Sequence, residues 1–298
     1  MSDRAGAAFS RALVVANPIA GRGKGLVVAG AVAAALHRRG IVTDLHVSAG
    51  RGDCSAGVAR AARDVDVVVA VGGDGTLREV LEGLPDPLLP VGIVPVGTAN
   101  VLSRDLGLPR DVEAAVGVVA AGRTRPIDVG RTNGALTMLV AGIGLDALVV
   151  RDVARRRRGP ITKWSYVKAL ARTLRAYHPP RLGVEIDGVR RASTFGLVLI
   201  ANVVHYAGWL HLSPAREIAD GRFEVYVFGD AAPLRLVAVA ARGLLATIDE
   251  RACDGLHRAR TVRVTSETPA PYQVDGEAAG ETPVEFAVEP LQYRIVVP

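Results

Sequence analysis

Cysteine is nearly missing from this sequence, with Cys54 and Cys253 the only two in 298 residues. They lie far apart, and no Cys or His stands beside either at a metal-ligand spacing, which argues against a disulfide framework and a zinc site. Lysine is as scarce, limited to Lys24, Lys163 and Lys168. Arginine carries the positive charge instead, in a chain rich in Ala, Val and Gly, a bias that reads as codon usage and not as function. No run of about 18 apolar residues is free of charge or strong breakers, so a membrane-spanning helix is not expected. The opening MSDRAGAAFSRALVV lacks a basic start followed by an apolar core and a cleavage site, which predicts a cytoplasmic protein without a secretory signal. Internal repeats and long low-complexity tracts are also missing. The histidines His37, His46, His178, His205, His211 and His257 form no recognisable catalytic set.

What is present begins with length and charge. A chain of 298 residues suggests two domains. The net charge of +6 suggests an anionic partner, whether nucleic acid, nucleotide or acidic membrane, and does not choose among them. Val/Ile-rich runs at 12–16, 41–47, 66–71 and 91–94 alternate with helical segments near 24–38, 53–63, 76–84 and 111–121. That order predicts a doubly wound, mostly parallel α/β domain over residues 1–127. From 128 to 298 the texture changes to alternating strands at 183–187, 195–201, 222–228, 261–265, 284–288 and 293–297, with helices near 160–177 and 232–247. Asp-Gly pairs at 187, 220 and 275 punctuate them, and a β-rich, sandwich-like second domain is the expectation.

The densest motif is VVVAVGGDGTLREV, a buried strand running into Gly72-Gly73-Asp74-Gly75-Thr76 and then a helix. Glycines let backbone N–H groups approach an anion closely, and a helix N-terminus adds partial positive charge. A phosphate site is implied. Two further loops stand at equivalent strand ends, Asn17-Pro18-Ile19-Ala20-Gly21 and Pro95-Val96-Gly97-Thr98-Ala99-Asn100, where open α/β sheets bind ligands. None has the spacing of a dinucleotide fingerprint or of a Walker loop. In the second half, carboxylates gather at two turns, Ser213-Pro214-Ala215-Arg216-Glu217-Ile218-Ala219-Asp220-Gly221 and Val274-Asp275-Gly276-Glu277. By themselves these read as hairpin turns.

The GGDGT loop with an upstream NPxxG and a downstream GTxN resembles the diacylglycerol kinase catalytic domain of bacterial lipid kinases and sphingosine kinases, over nearly the whole chain. The resemblance implies transfer of the γ-phosphate of ATP, with Mg²⁺, to a hydroxyl of a membrane lipid such as diacylglycerol. It places the nucleotide phosphates on Asn17, Pro18, Ile19, Ala20, Gly21, Gly72, Gly73, Asp74, Gly75, Thr76 and Leu77, with Thr98 and Ser48 beside them. Ala20 stands where the family has Ser, and Arg78 where it has Asn. The resemblance also implies that the DGE turn supplies the base, from Asp275 or Glu277, and that Asp74 joins the network around the catalytic Mg²⁺. Because some bacterial members bind a structural Mg²⁺ at a PxAxxxDG segment, the resemblance implies one here on Asp220 with carbonyls of Glu217 and Arg222.

A lipid acceptor implies docking at an anionic membrane surface. Arg151, Arg155, Arg156, Arg157, Arg158 and Lys163, beside Ile161, Trp164 and Tyr166, are the expected contact, and no nucleic acid partner is expected. Gly142 to Ala147 and Asn202 recur in relatives near the lipid cleft, while His205-Tyr206-Ala207-Gly208-Trp209 departs from their glycine-rich form. Two other readings stay open: an NAD kinase-like soluble enzyme, and a non-catalytic nucleotide- or lipid-binding regulator. The oligomeric state is left open as well, a homodimer included.

Overall fold

The computed structural model describes residues 8–156, 162–206, 210–212, 217–229 and 231–298. The chain divides into two compact units, Met1–Ile127 with Leu291–Pro298, and Asp128–Pro290.

In the first unit β1 (Arg11–Ala16), β2 (Val42–Val47), β3 (Val67–Gly72) and β4 (Val91–Pro95) run parallel in the order β2-β1-β3-β4. A distorted turn, α1 (Ala20–Gly23), and α2 (Gly25–Arg38) follow β1, α3 (Asp53–Ala61) follows β2, and α4 (Asp74–Gly83) follows β3. After β4 come a short α5 (Val101–Asp105), α6 (Val112–Ala121) and β5 (Thr124–Ile127). Every residue of β3 is buried, as a central parallel strand covered on both faces requires, and its Val-rich sequence meets that demand. Val14, Val69 and Val94 of the sheet pack in one core with Val32 and Leu36 of α2 and Val116 of α6.

The second unit begins with β6 (Gly130–Thr132), β7 (Ala135–Thr137) and β8 (Val140–Gly144), then α7 (Leu145–Arg155) and α8 (Lys163–Arg175). Next are β9 (Leu182–Ile186), β10 (Val189–Phe195), β11 (Leu197–Ala201), the small pair β12 (His205–Tyr206) and β13 (Leu210–His211), β14 (Phe223–Phe228) and α9 (Pro233–Leu245). It closes with β15 (Gly255–Ala259), β16 (Thr261–Ser266), β17 (Pro271–Val274), β18 (Glu277–Glu281) and β19 (Val284–Val288). The strands form two antiparallel sheets, β10-β9-β16-β19-β6-β7 and β15-β14-β11-β8-β17-β18. Alternation in β16 sends Val262 and Val264 inward and Thr261 and Arg263 outward. These valines share a core with Val184 and Ile186 of one sheet and Ile143, Val198 and Val225 of the other. Phe223 and Phe286 meet across the sheets at a centroid distance of 4.8 Å.

One boundary differs from the sequence reading. The expected strand at 293–297 forms as β20 (Tyr293–Val296), yet it belongs to the first unit, lodged between β4 and β5. Its Val296 packs into the same core as Val94 and Val116. A short apolar strand carries no local mark of the sheet it joins. The second unit is therefore 128–290, inserted within the first, and not 128–298.

Among the described residues, no helix is long and apolar enough to cross a membrane. Of the basic run, Arg155 and Arg156 close α7, exposed, and Arg156 is paired with Asp152 at 2.8 Å. Arg157, Arg158 and Ile161 lie outside the described residues. Trp164, on α8, is 71% exposed.

Candidate active site

The first unit gathers its glycine loops at the carboxyl ends of β1, β3 and β4, and the contacts among them explain why the glycines are there. Loop one, 17–19, leaves β1 with the Asn17 side-chain oxygen accepting the Ile19 N–H at 3.1 Å. Gly21 then takes φ +59°, and a Cβ there would overlap the Val96 side chain of loop three. Loop two passes from β3 through Gly73 into α4. A Cβ on Gly97 would stand 2.5 Å from Gly73 Cα, so loops two and three touch backbone to backbone. Two hydrogen bonds join them, Val96 N–H at 2.8 Å and Gly97 N–H at 3.2 Å, both to Gly72 O.

Asp74 completes the join. Its carboxylate accepts N–H groups of Val101 (3.1 Å) and Leu102 (3.4 Å), the first residues of α5. Burial pushes the Asp74 carboxyl above the usual range, and these N–H groups pull it back. Asp74 thus caps a helix two elements downstream of the one it opens. In α4 the first backbone bond is Leu77 N–H to Gly73 O, so the N–H groups of Gly75 and Thr76 have no backbone acceptor within the helix. Thr76 and Leu77 are buried, so a ligand would meet their backbone and not their side chains. Ile19 and Thr98 are exposed. Asn100, at φ +46°, donates its amide to Gly97 O at 2.8 Å, while its buried Oδ1 has no partner. A cluster of N–H groups at a helix start beside close-packed glycines can hold phosphate oxygens.

Ser48 follows β2 directly. It is buried, and its hydroxyl donates to Gly50 O at 2.8 Å, closing its own turn. That turn is fastened by a residue the sequence reading did not single out: Glu79 of α4 accepts the Gly52 N–H at 3.0 Å and the Cys54 N–H at 3.2 Å. Glu79 lies 27 residues from Gly52, a separation that leaves no local pattern.

In the second unit the DGE turn joins β17 to β18. Asp275 (φ +50°) and Gly276 (φ +84°) adopt the positive φ values of a type I′ turn. The Asp275 carboxylate accepts three backbone N–H groups, from Met138 (3.0 Å), Leu139 (2.8 Å) and Val140 (3.0 Å). It is the anchor that ties the turn to the strand beside it. Glu277, half-buried at the start of β18, is the other carboxylate of the motif.

Behind the turn runs a chain of side chains that the motif does not advertise. Gln273 Oε1 accepts the Gly276 N–H at 2.7 Å, and Gln273 Nε2 donates to Asp146 Oδ2 at 2.7 Å. Tyr206 donates its hydroxyl to the other oxygen of Asp146. Gly142 leaves the room this needs, since a Cβ there would overlap the Asp146 carboxyl. Asp146 is half-buried as a residue, but its carboxyl is enclosed, and burial raises it to about 6 against the opposing pull of Gln273. The folded value lies above the unfolded one, so this group's stabilising contribution is complete below about pH 4 and is lost as pH rises through 6. Asp146→Asn mimics the protonated acid. Its Tm relative to wild type should therefore rise between pH 4 and 7, by an increment worth at most about 3 kcal/mol. Parallel Tm curves for the two proteins would remove Asp146 from the titration.

The expected structural magnesium does not fit the residues present. Both oxygens of the Asp220 carboxylate are taken, Oδ1 by the Arg222 N–H at 3.0 Å and Oδ2 by the Arg258 guanidinium. A guanidinium thus already neutralises the Asp220 carboxylate. The turn is held instead by Asp128, whose carboxylate accepts the Gly221 N–H and whose own N–H donates to Ile218 O, both at 2.6 Å. Ser213 to Arg216 lie outside the described residues, as do Ala207 to Trp209. Among the described residues no group of three or more His, Cys, Asp or Glu could hold a metal ion.

One unit is thus a parallel α/β fold with close-packed glycine loops, and the other a β-sandwich presenting an acidic type I′ turn. Family models agree: residues 11–132 match the diacylglycerol kinase catalytic domain and residues 139–297 the YegS C-terminal NAD kinase beta sandwich-like domain. The chain belongs to the bacterial diacylglycerol kinase-like family and is a lipid kinase. It is 29% identical over 294 residues to a diacylglycerol kinase of Bacillus subtilis (strain 168), covering 97% of each chain. It is also 29% identical over 301 residues to one of Mycobacterium tuberculosis, covering 97% of this chain and 96% of the other. A crystal structure of a diacylglycerol kinase from Bacillus anthracis str. Sterne shares the fold, with a TM-score of 0.75 at 20% identity and 98% of both chains covered.

Proposed function

We propose that this kinase transfers the γ-phosphate of ATP to the free hydroxyl of diacylglycerol held in a bilayer, giving phosphatidic acid. The observation that carries the donor half is the glycine contact between loops two and three beside the first turn of α4, a cradle suited to phosphate oxygens. Asn17 to Gly21, Gly72 to Leu77 and Thr98 form its lining, mostly through backbone N–H groups. Ser48 contributes through the shape of its turn. Mg²⁺, entering on the nucleotide, would neutralise phosphate charge. Asp74 positions this cradle by tying α4 to α5, and its carboxylate is turned to backbone donors.

In the reaction the lipid hydroxyl oxygen bonds to the γ-phosphorus, the bond from that phosphorus to the bridging oxygen breaks, and ADP leaves. The hydroxyl proton goes to a carboxylate. Asp275 is engaged by three N–H groups, which supports Glu277 for that task. Gln273 and Asp146 position Glu277 by fixing the turn it follows. The acceptor assignment rests on the names of the relatives and on the family motif DGE.

Labelled ATP with Mg²⁺ and vesicles containing diacylglycerol should yield labelled phosphatidic acid. Label in soluble NAD phosphate instead would favour the reading that the sandwich domain shares with NAD kinases. Tight ATP binding with no labelled product of either kind would leave a nucleotide-binding regulator.

A further inference from the structure

Helix α9, in the second unit, is apolar on two sides. Leu236 faces inward, 6% exposed, and Gly243 lies against Ile248 and Leu210, where a Cβ would come within 2.9 and 3.2 Å of their side chains. On the outer side Leu234 is 86% exposed, Leu245 89%, and Val237 and Leu244 47% each. Ala238 and Ala241 are exposed between them. At 100° per residue these positions fall within an arc of about 120°, one continuous stripe. Arg235 and Arg242 share one flank of it, paired with Asp254 at 2.8 Å and Asp249 at 3.1 Å. The helix holds no acidic residue of its own.

We infer that the outer face of α9 inserts into the lipid surface that carries the substrate. The inference rests on the lipid-kinase reading and adds the surface that reaches the bilayer. A water-facing helix of a globular domain normally keeps its outer side polar, and this one reverses that rule over its whole length. A second copy of the chain is a poor occupant, because a stable interface takes about 20–30 residues a side and the stripe offers six. A lipid surface asks only for a shallow apolar face, buried about 5–10 Å deep. Charge points the same way. Between 233 and 254 the arginines 235, 242 and 251 are balanced by Asp249, Glu250 and Asp254, so the patch is neutral and suits apolar insertion more than attraction to anionic headgroups. This separates it from the basic residues at the end of α7.

The test is flotation with phosphatidylcholine vesicles containing long-chain diacylglycerol, comparing wild type with L234Q/L245Q. Both positions are exposed, so the variant should keep the wild-type Tm. Its vesicle binding should fall by about tenfold or more, and wild-type binding should hold when salt is raised from 0.1 to about 0.5 M. Phosphorylation of vesicle-borne diacylglycerol should fall with it, while transfer to dispersed dihexanoylglycerol should not change. Equal flotation of the two proteins, or no flotation of the wild type, overturns the inference. So does a wild-type dimer in light scattering that the variant dissolves without losing vesicle binding. If no lipid is phosphorylated by either protein, the lipid-kinase assignment fails on its own account and flotation still decides the face.

Discussion

Glu277→Gln is expected to leave a folded protein whose turnover has dropped by about 10² to 10⁴, the usual contribution of a positioned base. Asp275→Asn is expected to fail for a different reason. The carboxylate of Asp275 serves three backbone donors, from Met138, Leu139 and Val140. Asparagine suits the positive φ of that position equally well, but its amide puts N–H groups among N–H groups. Each buried donor left without an acceptor costs about 1–3 kcal/mol, so a loss of about 2–5 kcal/mol and a Tm lower by roughly 5–15 °C follow. Calorimetric melting beside steady-state kinetics separates the two roles. A variant of Asp275 with the wild-type Tm and no turnover would move the base to Asp275. Near-normal turnover in Glu277→Gln would remove Glu277 from proton transfer.

The second large effect is expected at Gly97, and it is larger than at the better-known glycine of the GGDGT loop. A Cβ on Gly97 would stand 2.5 Å from Gly73 Cα and 2.6 Å from Asn100 Oδ1. Neither can yield cheaply, since one is backbone and the other belongs to a residue bonded back to Gly97. A Cβ on Gly73 would have its nearest neighbour at 3.2 Å. Gly97→Ala must therefore push loops two and three apart, whereas Gly73→Ala asks for a few tenths of an ångström. Displacements near 1 Å in a reacting assembly cost about 10²-fold, so kcat/KM for ATP should fall by that order in Gly97→Ala and by far less in Gly73→Ala. Titration calorimetry with ATP gives an independent reading. Wild-type nucleotide affinity in Gly97→Ala would mean that phosphates do not depend on this contact.

The sequence made the framework legible because the framework is periodic. The Val-rich β3 announced a strand covered on both faces, and the alternation in β16 announced a sheet with one wet side. The glycine loops and the Asp-Gly turn were legible as clusters of residues that tolerate unusual backbone. What could not be read were partnerships between distant side chains and backbone. Nothing near Asp74 shows that it caps α5, and nothing near Asp220 shows that Arg258, 38 residues on, lies against its carboxylate. The same holds for Gln273 bridging Gly276 and Asp146. Motifs name residue types, and these partnerships decide what each carboxylate is free to do. The outward stripe of α9 was hidden for another reason. A helix that is apolar on most sides gives no hint of which side the fold will cover.

The placement of β20 has a consequence for how the protein comes into being. A ribosome that has reached residue 290 has made everything the first unit needs except the strand that fills the slot between β4 and β5. Until then β4 is an open edge, the kind that recruits foreign strands, and β5 has no partner in the sheet. The 163 residues of the second unit must be spanned before the slot can close, which makes this the most non-local pairing in the sheet. Synthesis therefore completes the two units almost together, with β19 and β20 made within a few residues of each other, although β1 to β5 of the α/β unit were made long before and wait for their last strand.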